Sequence, residues 1–134
     1  MRRKRYLEKL ETFETEMEFI RKHTITDDIL KRALLYALQV CIDIGIDCIA
    51  MVTKDSGLVV EDDYSNIEKL ENEKILVKEE AELIRKFNGL RNAIVHKYNH
   101  IDLSLIEEGL EEIEDFYEVL VKLIEFIEKK QKWS

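Results

Sequence analysis

With 134 residues, 46% of them hydrophobic and 37% charged, the chain can close one hydrophobic core without disulfides or metals, which excludes a disordered or disulfide-stapled class. Its 29 acidic and 21 basic residues leave a net charge of -8, so most of the surface repels phosphate. That excludes a protein that coats nucleic acid non-specifically, while leaving room for a local basic cleft.

A single domain over residues 1–134 is expected. No proline occurs, and there are only four glycines, which permits long uninterrupted helices. The N-terminal Met1-Arg2-Arg3-Lys4-Arg5 is basic, but no apolar signal-peptide core follows it. Next, Tyr6, Leu10, Phe13, Met17 and Ile20 recur at steps of four and three, which predicts a first helix with one apolar face. His23-Thr24-Ile25-Thr26-Asp27 breaks that pattern. Thr26 or Asp27 can cap a second helix that runs to about Thr53.

The second helix carries two apolar rows. One is Leu30, Leu34, Leu38, Cys41, Gly45, Cys48 and Val52, and the other is Leu35, Ile42, Ile46 and Ile49. Two rows suggest burial on two sides, with a partner subunit as one possible neighbour. The stretch from Ala33 to Val52 includes Gln39, Asp43 and Asp47, so it reads as a buried helix rather than a membrane span. Cys41 and Cys48 are about 10.5 Å apart along such a helix, too far to bridge within it. They read as two buried thiols in a reducing cytoplasm.

Lys54 to Asp63 reads as a loop turning at Asp55-Ser56-Gly57, and a short helix around Tyr64–Asn72 follows. A third long helix is expected from near Val77 to about Tyr98, with Leu83, Phe87, Leu90 and Ile94 facing the core. Asn99-His100-Ile101-Asp102 then interrupts, with Asp102 as a cap. The last helix shows Ile106, Leu110, Ile113, Tyr117, Leu120, Ile124 and Ile127 at helical spacing. Lys129-Lys130-Gln131-Lys132 reads as a solvated end, and nothing decides whether Trp133 packs or binds. The fold class is all-α, an up-and-down helical bundle, because short connections favour antiparallel neighbours.

From Leu83 to Ile101 the chain holds no Asp or Glu, where roughly four are expected by chance, but it holds Arg85, Lys86, Arg91, His96, Lys97 and His100. A histidine can pass a proton near neutrality, and an arginine fork suits phosphate. Together they can promote attack of an RNA 2′-hydroxyl on its neighbouring phosphate with no metal. Asn92, His96 and Asn99 share one helix face. Arg91 and His96 diverge by about 140° on an ideal helix, so one straight helix does not converge them on one small ligand. A distorted helix end or a symmetric partner would. The same residues also fit a plain helix terminus, with His96 and Lys97 at the negative end of the dipole and Arg91 in a surface ion pair. A metal site at His96 and His100 lacks a nearby carboxylate or cysteine. The pairs Glu79-Glu80 and Glu111-Glu112 read as solvent faces, and His23 as a helix C-terminus.

The segment Arg91-Asn92-Ala93-Ile94-Val95-His96-Lys97-Tyr98 resembles the Arg-x4-His-x-Tyr motif of HepT-type toxins in the HEPN superfamily. Phe87-Asn88-Gly89-Leu90 before it and Ile101-Asp102 after it fit the same family, as does the length. The resemblance implies a four- or five-helix HEPN bundle, a homodimer whose motif helices line a shared cleft, and metal-independent endoribonuclease activity without a cofactor. It also implies a small nucleotidyltransferase antitoxin of the MNT type as partner. Carried over, Arg91 and His96 are the catalytic pair, with Asn92 and Lys97 positioning substrate. Tyr98 matches the tyrosine that the partner modifies with AMP. Two other functions remain open: a non-catalytic HEPN-like module that associates with the nucleotidyltransferase, and a purely structural bundle.

Overall fold

The structure, a computed structural model, describes residues 2–131, of which Gln131 is described by its backbone alone. Trp133 and Lys132 lie outside the described residues. Five helices follow in order: α1 (Arg2–Lys22), α2 (Asp28–Asp55), α3 (Asp63–Asn72), α4 (Lys78–His96) and α5 (Leu103–Gln131). A 3-10 turn, Tyr98–His100, links α4 to α5, and no strand occurs among the described residues.

Ion pairs and hydrogen bonds fix the directions of the long helices. At the start of α1, Arg2 and Tyr6 meet Asp55 at the end of α2, and Lys9 meets Asp47. Arg3 pairs with Glu128 and Arg21 with Glu114, so α5 also runs against α1. Lys86 pairs with Glu112 and Lys122 with Glu80, which sets α4 antiparallel to α5. The result is an up-down-up-down bundle, with α3 inserted in the crossover from α2 to α4.

Local chemistry explains most element ends. Asp27 caps α2, its carboxylate accepting from Leu30 N at 2.8 Å. Gly57 follows α2 at φ +83°, a left-handed conformation that suits glycine. Asp62 caps α3 through Ser65 N at 2.8 Å, and Asp102 accepts from Ser104 N at 2.9 Å where α5 begins. Before α4, Val77 has no polar side chain to cap with, and Glu80 reaches back to Val77 N at 3.0 Å.

The α1 stripe is buried as expected, from Tyr6 to Ile20. Most of both α2 rows is also buried inside one chain, Leu35 and Ile42 completely and Ile49 all but completely, while Leu30 and Ile46 are half-buried. α1, α4 and α5 all pack on this helix, so burial on two sides needs no partner subunit. By length and composition α2 is the one described helix that could cross a membrane, but here it is the core helix. Cys41 and Cys48 are buried free thiols, both pushed up to about 12 by burial.

Two expectations need correction. Leu83 and Leu90 are only half-buried, and Ala81 and Ile84 take the core positions on α4 beside Phe87 and Ile94. On α5 the buried stripe includes Phe116, Val119 and Leu123, while Leu110 and Tyr117 are half-buried. A helix packed against three others needs a wider apolar face than a single line of contacts. The basic tail is helical through Gln131, and Lys130 Nζ donates to Ser56 O at 3.2 Å.

Candidate active site at the end of α4

The helix α4 is regular from Lys78 to His96, so the divergence of Arg91 and His96 persists in the structure. It ends two residues earlier than its apolar pattern suggests. Lys97 leaves the helix at φ -135°, ψ 36°, and its N–H still reaches Ala93 O at 2.8 Å. Tyr98 therefore belongs to the 3-10 turn rather than to α4. It is half-buried and packs against the core cluster. His96, Lys97, Asn99 and His100 are exposed around that turn, and Asn92 is exposed one turn earlier on the side of His96.

Arg91 points the other way, toward α2. Its Nε donates to Asp43 Oδ1 at 2.8 Å, and both side chains are part-exposed, 37% and 43%. The two face a recess of about 220 Å³ that Asp47, Asp63 and Asn88 also line. Burial pushes the Asp63 carboxyl above the usual aspartate range, against the opposing pull of the Arg91 cation. The ion-pair reading of Arg91 is thus correct as geometry, though the partner is a specific carboxylate on another helix.

The window without acids in sequence is not without acids in space. Arg85 pairs with Glu71 at 2.7 Å and sits over the Tyr64 ring, its charge 5.7 Å from the ring centre. Lys86 pairs with Glu108 and, at 2.7 Å, with Glu112. Arg91 has Asp43. Within this window, Lys97 is the lysine or arginine left without a carboxylate partner among the described residues. Phosphate attraction is therefore confined to the motif itself rather than spread over residues 83–101.

Two of the acidic residues read as solvent-facing are engaged. Glu80 is only 15% exposed and holds both Val77 N and Lys122, and Glu112 holds Lys86. His23 stacks on Phe19 with ring centres 4.2 Å apart, and its Nδ1 lies 2.8 Å from Phe19 O, a local helix-end role. No group of three His, Cys, Asp or Glu among the described residues is arranged to hold a metal. On the side of α4 away from Arg91, an apolar groove of about 240 Å³ opens between α4 and α5, lined by Phe87, Leu90, Ala93, Leu105 and Gly109.

Asp43 is the residue that sequence reading missed as part of the site. The signal was present: Asp43 and Asp47, four residues apart, put two carboxylates on one face of an otherwise apolar helix. Such a face calls for a cationic partner, and Arg91 is the cation that arrives.

Comparison with known proteins identifies the family. The family described as Ribonuclease HepT-like matches residues 3–124. A protein of Archaeoglobus fulgidus named "Putative RNase" is 50% identical over 129 residues, covering 96% of this chain and 98% of its own. A second protein of that organism with the same name is 41% identical over 128 residues, covering 96% of this chain and 94% of its own. Among solved structures, the tri-AMPylated HEPN toxin of Shewanella oneidensis in complex with MNT antitoxin superposes with a TM-score of 0.75. It is 21% identical and covers 86% of this chain and 95% of that one. A toxin-antitoxin structure with AMP-PNP also gives 0.75, at 20% identity, covering 86% of this chain and 96% of that one. At that identity the two structures speak for the fold, a HEPN bundle. The match over residues 3–124 and the two full-length relatives speak for the family: this chain belongs to the HepT-like ribonucleases, and its activity is that of an endoribonuclease.

Proposed function

We propose that the protein is the toxin of a toxin-antitoxin pair, a metal-independent endoribonuclease that cuts RNA in a cleft between two copies of the chain. The observation that carries this reading is the arrangement at the end of α4. An exposed histidine stands on one face, and five residues earlier an arginine is held by a carboxylate with both Nη groups unpaired among the described residues.

In the reaction, the 2′-oxygen attacks the adjacent phosphorus as the bond from phosphorus to the 5′-oxygen breaks. The products are a 2′,3′-cyclic phosphate and a 5′-hydroxyl. His96 accepts the proton of the 2′-hydroxyl, and a protonated histidine delivers one to the leaving 5′-oxygen. Arg91 neutralises the charge that builds on the phosphoryl oxygens. Asn92 and Lys97 hold the strand, Lys97 as a point charge on a neighbouring phosphate. Because Arg91 and His96 face different sides of α4, a second copy brings the complementary group to each site.

The MNT antitoxin bound by the Shewanella toxin supports a nucleotidyltransferase of that kind as partner. AMP transfer to Tyr98 would place an anionic nucleotide in the turn that directly follows His96 and Lys97. It would repel RNA phosphate and occupy the cleft.

The test is cleavage of a fluorescent RNA by freshly purified, unmodified protein in EDTA. Wild type cleaves, and Arg91→Ala and His96→Ala each lose roughly 10²- to 10⁴-fold in rate, the usual scale for general acid-base and electrostatic groups. Their unfolding midpoints stay at the wild-type value. Cleavage that survives both substitutions rejects the site. A wild type that binds a nucleotidyltransferase tightly but never cleaves RNA favours the non-catalytic module, a reading that draws on the capture of Arg91 by Asp43.

A further inference from the structure

We propose that Asp43 is the positioning residue of the site: it orients the Arg91 guanidinium so that its Nη edge faces the phosphate. This rests on the assignment of Arg91 to the phosphate.

Three observations carry it. The Arg91 Nε donates to Asp43 Oδ1 at 2.8 Å across the junction of α2 and α4. A guanidinium bound at Nε keeps its two Nη groups free, and these form the forked edge that matches two phosphoryl oxygens. The backbone at Asp43 is held in place, because Cys41 and Ile42 beside it on α2 are completely buried. Its short side chain has less freedom than the long arginine, so the pair restrains Arg91 more than Asp43.

The surroundings make that fixing necessary. Asp47 and Asp63 line the same recess, so an unanchored Arg91 has two other carboxylates to fold back upon. A part-exposed pair of this kind contributes little to stability. Its effect falls on orientation, where a long side chain otherwise spends its entropy at the moment of binding.

The experiment compares RNA cleavage by wild type, Asp43→Ala, Asp43→Asn, Arg91→Ala and the double variant Asp43→Ala/Arg91→Ala, with unfolding midpoints recorded for each. Asp43→Ala is expected to lower kcat roughly 10- to 100-fold, with a smaller change in KM and an unaltered midpoint. Asp43→Asn, whose carbonyl oxygen can still accept the Nε–H, recovers most of the loss. The double variant is no slower than Arg91→Ala, since the aspartate acts through the arginine. In the nitrogen-15 NMR spectrum the Arg91 Nε–H exchanges slowly in wild type and rapidly in Asp43→Ala. Wild-type turnover in Asp43→Ala, or losses that multiply in the double variant, overturns the positioning role alone. Absence of cleavage by the wild type overturns the reading beneath it as well, while fast exchange of the wild-type Nε–H overturns the anchoring itself.

Discussion

Gly45 lies in the middle of α2 against the ring of Phe116, so close that an added Cβ would overlap three ring atoms. The ring has no room to retreat, being fully buried between Phe13 and Phe87. Gly45→Ala should therefore destabilise the protein by about 1–3 kcal/mol despite the better helix propensity of alanine, and thermal unfolding measures it. A midpoint equal to or above wild type would show that α5 can shift outward. At Arg91 the sequence displayed the side chain and its motif, but its partner lies 48 positions away on α2. Spacing along one helix cannot show that pairing, and only a bundle that sets α2 against α4 creates it.

At the scale of elements, helix caps give the chain a defined acid response. Asp62 accepts hydrogen bonds from Ser65 and Asp102 from Ser104, and each bond holds its carboxyl below the usual aspartate range. A carboxylate with a depressed folded pKa stabilises above its unfolded value, about 3.9, and the contribution disappears as pH falls through the folded value. The unfolding midpoint should thus decline below about pH 4, and more steeply in wild type than in Asp62→Asn/Asp102→Asn, as circular dichroism can record. The helices and the caps at Asp27 and Asp102 were readable because each depends on residues a few positions apart: Asp27 with Leu30, Asp102 with Ser104. The end of α4 was not readable to the residue. Tyr98 continues the apolar spacing of the helix, yet Lys97 turns the backbone out of it, and nothing local to Lys97 announces that conformation.

For the whole molecule, the net charge of -8 and the internal pairing of Arg85 and Lys86 leave few cations for RNA. Binding by two or three phosphate contacts predicts a shallow dependence of log K on log salt, with a slope of roughly -1.4 to -2.1 at ~0.7 per contact for a single strand. Titration of labelled RNA between low and physiological salt measures it, and a slope steeper than about -5 would require a basic surface that this chain lacks. Light scattering at micromolar concentration should give the mass of a dimer, and a monomer there would remove the shared cleft. Most of both apolar rows of α2 is buried within one chain, so the expected dimer follows instead from the opposed directions of Arg91 and His96.

The enclosure of α2 also has a consequence for how the chain is made. A helix whose apolar rows pack on α1, α4 and α5 has no finished environment until the last of them is synthesised, and its apolar length resembles a membrane segment in the meantime. Phe116, which closes over Gly45, emerges long after it. At 5–20 residues per second, the interval between the end of α2 and the end of α5 is roughly 4 to 15 s. Early in it only α1 of these helices is available to cover the apolar rows, and the part-covered rod invites chaperones or insertion machinery. Because Asp43 on α2 pairs with Arg91 on α4, that pair forms only once both helices have been made. The bundle closes when its C-terminal helix docks and Phe116 covers Gly45.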